Sequence, residues 1–534
     1  MVLSKYFLFA TLVVALVLGD DDNPTGFLSI DCGSLNSSYV DETTGFTYFS
    51  DKGFTKTGEN REIADAYKVQ TNEQQFWNVR SFSEGIRNCY TLKPTLGDQG
   101  TRYMIRARFM YGNYDNENLA PTFDLYLGVD FWDTVLTQYA WNKVNKEIIF
   151  FPKSDDHLYV CLVNTGHGIP FISALELRPW NNETYVSETG SQQLFGRYDL
   201  NPAINQVMRY KEDAYDRVWL AFTENIWIPI NTTEGKNITK NIYQLPSPVM
   251  STAYEPNRTT GNLGLIINPS NSSAPFLFYF YFHFAEIQEL QKNESREFNI
   301  FVNGKFSHGP FVPSYLVTNT VISTSSETTS DGEIHIWLNR TQNSTQPPLL
   351  NALEIYLLTD LSQQETNQAD VNAIQNIKSL YGVTKNWQGD PCAPKAFLWD
   401  GLDCSYGSNS SPRIISLNLS SSGLNGVISP YFADLTMLQA LDLSNNSLSG
   451  TVPEFLANLS SLRTLNLKEN NLNGPVPPAL LERSNNGLSL SVDANVMGNQ
   501  TTNQTSSSPE NWCRKNKFVV PLVASIGAFF LHFV

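Results

Sequence analysis

The chain reads as mainly β: two tandem β-sandwiches, then a short repeat solenoid with a cap at its start. Three observations predict this. From Asn23 to about Thr359 there is almost no helical periodicity, and aromatic and β-branched runs alternate between Gly, Pro and Asn breaks. The runs then return in the same order at a near-constant offset. From Ile414 to Asn495, Leu417, Leu441 and Leu465 recur at equal steps of 24 residues. A chain of 534 residues is too long for one core, so about three domains are expected. Its 52 Asp and Glu outnumber 36 Lys and Arg, and a formal charge of −16 repels the nucleic-acid backbone and anionic lipid surfaces.

The first segment, 1–19, has a short start ending in Lys5, an apolar run Tyr6 to Leu18 and small or neutral residues to Gly19, the pattern of a secretory signal peptide. An apolar run that short falls below the roughly twenty residues of a membrane span. Fifteen Asn-x-Ser/Thr sequons agree with passage through the secretory pathway: Asn36, Asn182, Asn231, Asn237, Asn257, Asn271, Asn293, Asn339, Asn343, Asn409, Asn418, Asn445, Asn458, Asn499 and Asn503.

The sandwiches are expected at 24–180 and 195–360. Tyr103 to Tyr111 and Phe123 to Phe131 alternate as half-buried strands do, and Leu277 to Phe284 and Phe298 to Gly304 echo them. Ala352-Leu-Glu-Ile355 likewise echoes Ala174-Leu-Glu-Leu177, and a tandem duplication accounts for the series. Ile30-Asp-Cys-Gly33, Phe76-Trp-Asn-Val-Arg-Ser-Phe-Ser-Glu-Gly-Ile-Arg-Asn-Cys-Tyr90, Arg106-Ala-Arg-Phe-Met-Tyr-Gly-Asn-Tyr-Asp115 and Val160-Cys-Leu-Val-Asn-Thr-Gly166 together resemble the tandem malectin-like ectodomain of plant leucine-rich-repeat receptor-like kinases. That resemblance covers nearly the whole mature chain.

Between sandwich and solenoid, 361–412 forms the cap. Asn367 to Gly382 is its helix: Asn367 caps, Asp370 follows three residues on, Val371, Ile374, Ile377 and Tyr381 line one face, and Gly382 ends it. Gly389-Asp-Pro-Cys392 and Trp399-x-x-x-x-Cys404 resemble the cap preceding plant extracellular repeats, which implies a Cys392–Cys404 bridge. Cys32, Cys89, Cys161 and Cys513 allow three full pairings, of which Cys89–Cys161 joins two expected strands of one sandwich.

At 413–495 the phrase Leu-x-x-Leu-x-Leu-x-x-Asn-x-Leu-x-Gly occurs at Leu438–Gly450 and again at Leu462–Gly474, the leucine-rich-repeat signature. One unit cannot bury its own apolar face, so the units stack and the end units are atypical: Ser422 stands in the ladder Asn position at the start, and the unit near Leu490, Val492 and Asn495 closes the end. The tails Gly450-x-x-Pro453 and Gly474-x-x-Pro477 resemble the plant extracellular subclass. Residues 496–517 are a polar stalk and 518–534 an apolar segment that admits three readings. A helix over Phe518 to Val534 would reach about 26 Å, slightly under a ~30 Å hydrocarbon core, with Arg514, Lys515 and Lys517 on its outer side. A GPI signal fits Ser506, Ser507 and Ser508, the spacer Pro509 to Lys517 and the apolar tail. Free secretion is the third.

No His-Glu-x-x-His, double Cys-x-x-Cys, Gly-x-Ser-x-Gly elbow or phosphate loop occurs, and neither do the kinase motifs Gly-x-Gly-x-x-Gly, His-Arg-Asp and Asp-Phe-Gly. The expectation is a binding protein without enzymatic activity, cofactor or metal, on the extracellular face of the plasma membrane. The resemblance implies a lectin-like fold, in which aromatic rings stack on sugars beside carboxylates and amides. The candidates are Tyr111, Tyr114 and Asp115 after the first long strand, and Phe131 and Trp132 after the next. On the solenoid, Ala440, Asp442, Ser444, Thr464, Asn466 and Lys468 project from the concave strands, as does the sequon Asn418, and suit a protein or peptide partner such as a co-receptor kinase. Two functions follow: a cell-surface receptor-like protein binding an extracellular glycan, peptide or co-receptor, or a secreted or GPI-anchored protein binding cell-wall glycan.

Overall fold

The computed structural model describes residue 24 and residues 26–69, 72–94, 101–153, 157–187, 190–202, 207–257, 261–269, 277–326, 332–408, 410–496 and 531–532. The signal peptide, Cys513, the sequons Asn271, Asn409, Asn499 and Asn503, and the stalk and apolar segment, apart from Val496 and the backbone of 531–532, lie outside these residues. Among the described residues no helix is long and apolar enough to cross a membrane.

The first lobe contains β1 (Leu28–Asp31), β2 (Ser38–Val40), β3 (Thr47–Ser50), β4 (Arg87–Leu92), β5 (Arg102–Met110), β6 (Thr122–Leu127), β7 (Asp130–Leu136), β8 (Lys143–Phe150), β9 (Leu158–His167) and β10 (Ala174–Trp180). The second lobe contains β11 (Ser191–Leu200), β12 (Leu220–Phe222), β13 (Asn262–Ile267), β14 (Phe278–Phe284), β15 (Phe298–Val302), β16 (Lys305–Phe311), β17 (Asn319–Ser325), β18 (Ile334–Arg340) and β19 (Ala352–Thr359). One sheet of each lobe runs β4-β9-β6-β7 and, in the same order, β13-β18-β15-β16, with Leu531–His532 beside β13. The other sheets repeat as β1-β10-β5-β8 and β11-β19-β14-β17. Two copies of one strand order are what a duplicated unit leaves behind.

Two expectations are corrected. Phe123 to Phe131 is not one strand, because Gly128 at φ 61° turns the chain into the β6–β7 hairpin. The sandwiches are not separate either. β8 pairs antiparallel with β11, Ile148 against Gln193 and Ile149 against Gln192, so a single eleven-stranded sheet passes through both lobes. Phe109, Phe123 and Phe171 centre the first core, and Phe280, Phe282 and Phe298 the second. β5 and β14 are buried on both faces, since each has a core on one side and the material between the lobes on the other.

The helix, α1 (Gln368–Tyr381), is capped by the Asn367 side chain, which accepts from the Ala369 amide at 3.1 Å, and it ends at Gly382 with φ 61°. Asp370 takes no part in the cap, because the Asn367 amide donates to the Pro412 carbonyl. It is buried, accepts two bonds from Arg413 at 2.9 Å and one from the Ile414 amide at 2.8 Å, and so ties helix to solenoid. The solenoid sheet runs β20 (Leu402–Gly407), β21 (Ser410–Asn418), β22 (Ala440–Asp442), β23 (Thr464–Asn466) and β24 (Ser489–Ser491). Asn446 explains the ladder: its Nδ2 donates to the carbonyls of Leu419 and Leu443, and its Oδ1 accepts from the amides of Ser422 and Leu424, joining one turn to the next. At the last unit Asp493 takes the acceptor half of that role, receiving the amides of Glu469 and Asn470.

Disulfides join Cys89 to Cys161 and Cys392 to Cys404, while Cys32 is a buried free thiol. Cys89 and Cys161 are directly opposite on β4 and β9.

Candidate functional site

The segment 207–219 carries Arg209, Asp213, Asp216, Arg217 and Trp219 back into the seam between the lobes, where all five are buried. Arg106, Arg108, Arg178, Arg197, Arg209 and Arg217 there face Glu73, Glu147, Glu176, Asp213, Asp216 and Glu354, six against six. The Glu147 carboxylate receives Arg106 Nε at 2.9 Å from the first lobe and Arg197 at 2.7 Å from the second. Arg209 grips both oxygens of Asp216 at 2.8 Å. Burial alone would neutralise these carboxyls, but the Arg209 and Arg178 guanidiniums hold Asp216 down at about 2. Burial likewise raises Glu354, yet Arg197, the His283 hydrogen bond and Arg217 pull it well below the usual range. Removing one partner would strand a charge in the interior, so the seam is a lock.

The carbohydrate candidates do not come together. Tyr111, Tyr114 and Trp132 are buried, the first two against Phe171 in the core, and only Phe131, at 46 % exposure, is open. Asp115 is half-buried and accepts the Tyr111 hydroxyl rather than facing solvent freely. The first three residues follow β5, whereas Phe131 and Trp132 begin β7 at the other end of the hairpin, roughly 17–20 Å away at strand spacing. Phe131 meets Tyr126, which in turn packs on Phe397 of the cap. Its place is beside the joint with the solenoid.

The open aromatics at the Tyr111 end are Tyr139 and Trp141, which sequence reasoning passed over. They lie in the turn between β7 and β8, are 54 % and 60 % exposed, and stack with centroids 4.8 Å apart and planes 3° from parallel. The turn is pinned to the β5–β6 loop by the Gly112 amide, which donates to the Ala140 carbonyl at 2.8 Å. Thr137-Gln-Tyr-Ala-Trp-Asn142 carried a signal: two aromatics in a polar turn, where no core claims them. No sequon falls between Asn36 and Asn182, so almost the whole first lobe lacks glycan acceptors, while seven of the fifteen fall between Asn231 and Asn343 in the second.

On the solenoid, Thr464 and Lys468 are exposed, and Asp442, Ser444 and Asn466 are half-buried. Asp442 Oδ1 accepts the Ser444 amide and hydroxyl, and Asn466 Nδ2 donates to Asp442 Oδ2 at 3.2 Å, so these polar groups partly satisfy one another. Asn418 is exposed on the strand preceding them, its Oδ1 taken by Ser420. The solenoid is fixed to the first lobe by Arg87, which is buried and donates to the carbonyls of Gln388, Asp390 and Ala393. Gly389, at φ 64°, sits against the Cys89 sulfur and the Arg87 guanidinium, where a Cβ would come within 3.0 Å of the sulfur.

A malectin-like domain model matches residues 30–358, and a leucine-rich-repeat model matches residues 412–472. A probable LRR receptor-like serine/threonine-protein kinase of Arabidopsis thaliana is 48% identical over 532 residues, 98% of this chain and 60% of that protein. The LRR receptor-like serine/threonine-protein kinase IOS1 of the same plant is 45% identical over 445 residues, 82% of this chain and 49% of its own. The chain thus spans about half to three-fifths of the length of these relatives. Among solved structures, the ANX2 ectodomain from Arabidopsis thaliana superposes with a TM-score of 0.51 at 18% identity, covering 63% of this chain and 97% of that one. A structure of the plant peptide RALF23 in complex with FER and LLG2 contains a chain matching with a TM-score of 0.51 at 16% identity, over 64% of this chain and 96% of that one. At such identities the likeness establishes the fold alone.

Proposed function

The chain belongs to the malectin-like family, and from that premise we propose that it is the extracellular, ligand-recognising part of a plant receptor-like protein, using the loop end of its first lobe as the recognition surface. One observation carries the reading: the stacked, solvent-facing Tyr139–Trp141 pair on a lobe that has no glycan acceptor between Asn36 and Asn182. The outward face of a stacked pair suits the apolar face of a sugar ring, and the exposed Asn116 side chain of the neighbouring loop supplies an amide for hydroxyls. The work is binding, with no catalysis, and the segment after 517 attaches the protein to the membrane as a helix or a GPI signal. Retention of the secreted chain on an array of plant cell-wall oligosaccharides tests this. Trp141→Ala should weaken that retention by roughly two- to tenfold, because a stacked ring contributes on the order of 0.5–1.5 kcal/mol. Equal retention by Trp141→Ala, or none by the parent chain, would overturn the carbohydrate reading. A peptide ligand is the second reading, supported by fold likeness to a chain in the RALF23 complex; co-purification with a receptor kinase in the absence of array binding would favour it.

A further inference from the structure

The duplication gives both lobes the same outer row of residues, and the two lobes treat it differently. In the first lobe the row runs Cys89, Cys161, Tyr126 and Phe131 across β4-β9-β6-β7, while Leu162 and Leu125 alternate with it into the core. The cap lies on this row: Phe397 meets Tyr126, and Gly389 sits against the Cys89 sulfur. In the second lobe the same positions across β13-β18-β15-β16 are Gly264, Trp337, Phe301 and Phe306. Leu263, Leu338 and Ile300 alternate with them into the core, so this row faces outward. Phe306 is 59 % exposed, and Trp337 and Phe301 are half-buried. We infer that the cover here is carbohydrate: an N-linked glycan on Asn339 whose first sugar stacks on the Trp337 indole.

Position and orientation carry this reading. The six-membered ring of Trp337 lies over Gly264, where a Cβ would come within 2.8 Å of three of its atoms. One side of the indole thus rests on bare backbone and the other turns outward. Asn339 stands two residues further along β18 on the same face, roughly 7 Å away, and opens the sequon Asn339-Arg-Thr341. It is half-buried, and its Oδ1 is buried without a hydrogen-bond partner, so Nδ2, the atom that takes the sugar, is the outward half of the amide. The C–H face of a pyranose ring is apolar and covers an aromatic ring as a side chain would, while its hydroxyls stay in water. Bare, the row would present Trp337 beside Phe301 and Phe306, whose rings are 5.8 Å apart, as an apolar strip on a secreted chain. Asn182 is the contrast. Trp180 likewise precedes it by two residues, but that indole is buried against Tyr185 and Tyr215 and offers a sugar no face.

The chain secreted from plant cells is cut with trypsin, which cleaves after Arg340 and so separates Asn339 from Asn343, and its glycopeptides are read by mass spectrometry. Asn339 should carry a glycan. Hydroxyl-radical labelling of the intact chain then measures side-chain exposure residue by residue. Asn339→Gln should raise the labelling of Trp337 by about threefold or more and lower the thermal midpoint by roughly 2–4 °C, while Tyr139 and Trp141 label as before. Asn182→Gln should leave the labelling of Trp180 unchanged. Where Asn339→Gln reduces secretion, Thr341→Val removes the sequon in its place and is read the same way. A bare Asn339 in the secreted chain overturns the proposal, as does equal labelling of Trp337 with and without the glycan. A rise shared equally by Trp337 and by rings remote from β18 would mean general loosening, and overturns it too. Trp141→Ala should alter neither readout, which keeps this test separate from the first-lobe reading.

Discussion

Asp216 shows how much one side chain holds here. It is fully buried at φ 58°, accepts Arg209 through both oxygens and Arg178 at 3.0 Å, and gives its carbonyl to Arg106. Asp216→Asn keeps the shape but leaves three guanidiniums short of an anion, and breaking a buried pair in this way typically costs about 3–5 kcal/mol. Denaturant unfolding should show a loss of that size. Glu59→Gln, which breaks only the exposed pair with Arg61, should change stability by less than about 1 kcal/mol. Equal effects would mean that the seam is not the lock described. The sequence displays Arg209-Tyr-Lys-Glu-Asp213-Ala-Tyr-Asp216-Arg217 openly, yet it reads as a solvated charged loop, because nothing local says that its partners Glu176 and Glu354 sit on distant strands.

Among the elements, the cap carries the sharpest expectation. Its helix, its disulfide and the stacked Trp387–Trp399 pair, 5.0 Å apart, close the apolar end of the solenoid. Replacing Cys392 and Cys404 together by Ser removes a loop constraint of about 2–3 kcal/mol. The loss should stay within 361–495. Hydrogen exchange should therefore quicken in α1 and the first repeats and remain unchanged in β5 and β14; uniform quickening would show that cap and lobes unfold as one unit. Asn367→Ala should weaken the same region by about 1 kcal/mol through the lost cap.

For the whole molecule, opposed sets of carboxyls predict the pH dependence. Burial pushes Asp31 up to about 8, against the Tyr39 hydrogen bond, and Asp199 up to about 7. Burial, with Asp390 nearby, raises Glu365 to about 7. Each is protonated in the folded chain and ionised in the unfolded one above about pH 4, so stability falls as pH rises from there toward 7–8. Glu147, Glu176, Asp216 and Glu354 are depressed, and their contribution is lost as pH falls below about 4. The thermal midpoint should be higher at pH 5 than at pH 8 by roughly a few degrees, and drop again toward pH 2. Asp199→Asn should flatten the slope between 5 and 8; an unchanged slope would remove that residue from the account.

The sequence by itself determined the mainly β class, the duplication, the capped helix and the repeat ladder, because periodicity, turn residues and repeated spacing are local properties that each segment carries whatever its neighbours do. It also determined that Cys89 and Cys161 lie on strands of one sandwich. Only the tertiary structure decided that β8 and β11 join, that segment 207–219 turns inward, and that Tyr111, Tyr114 and Trp132 belong to the core while Tyr139 and Trp141 face solvent. Those outcomes depend on which distant strands meet and which edge each strand leaves open, and a ring or a carboxylate has the same sequence signature whether it is packed, paired or exposed.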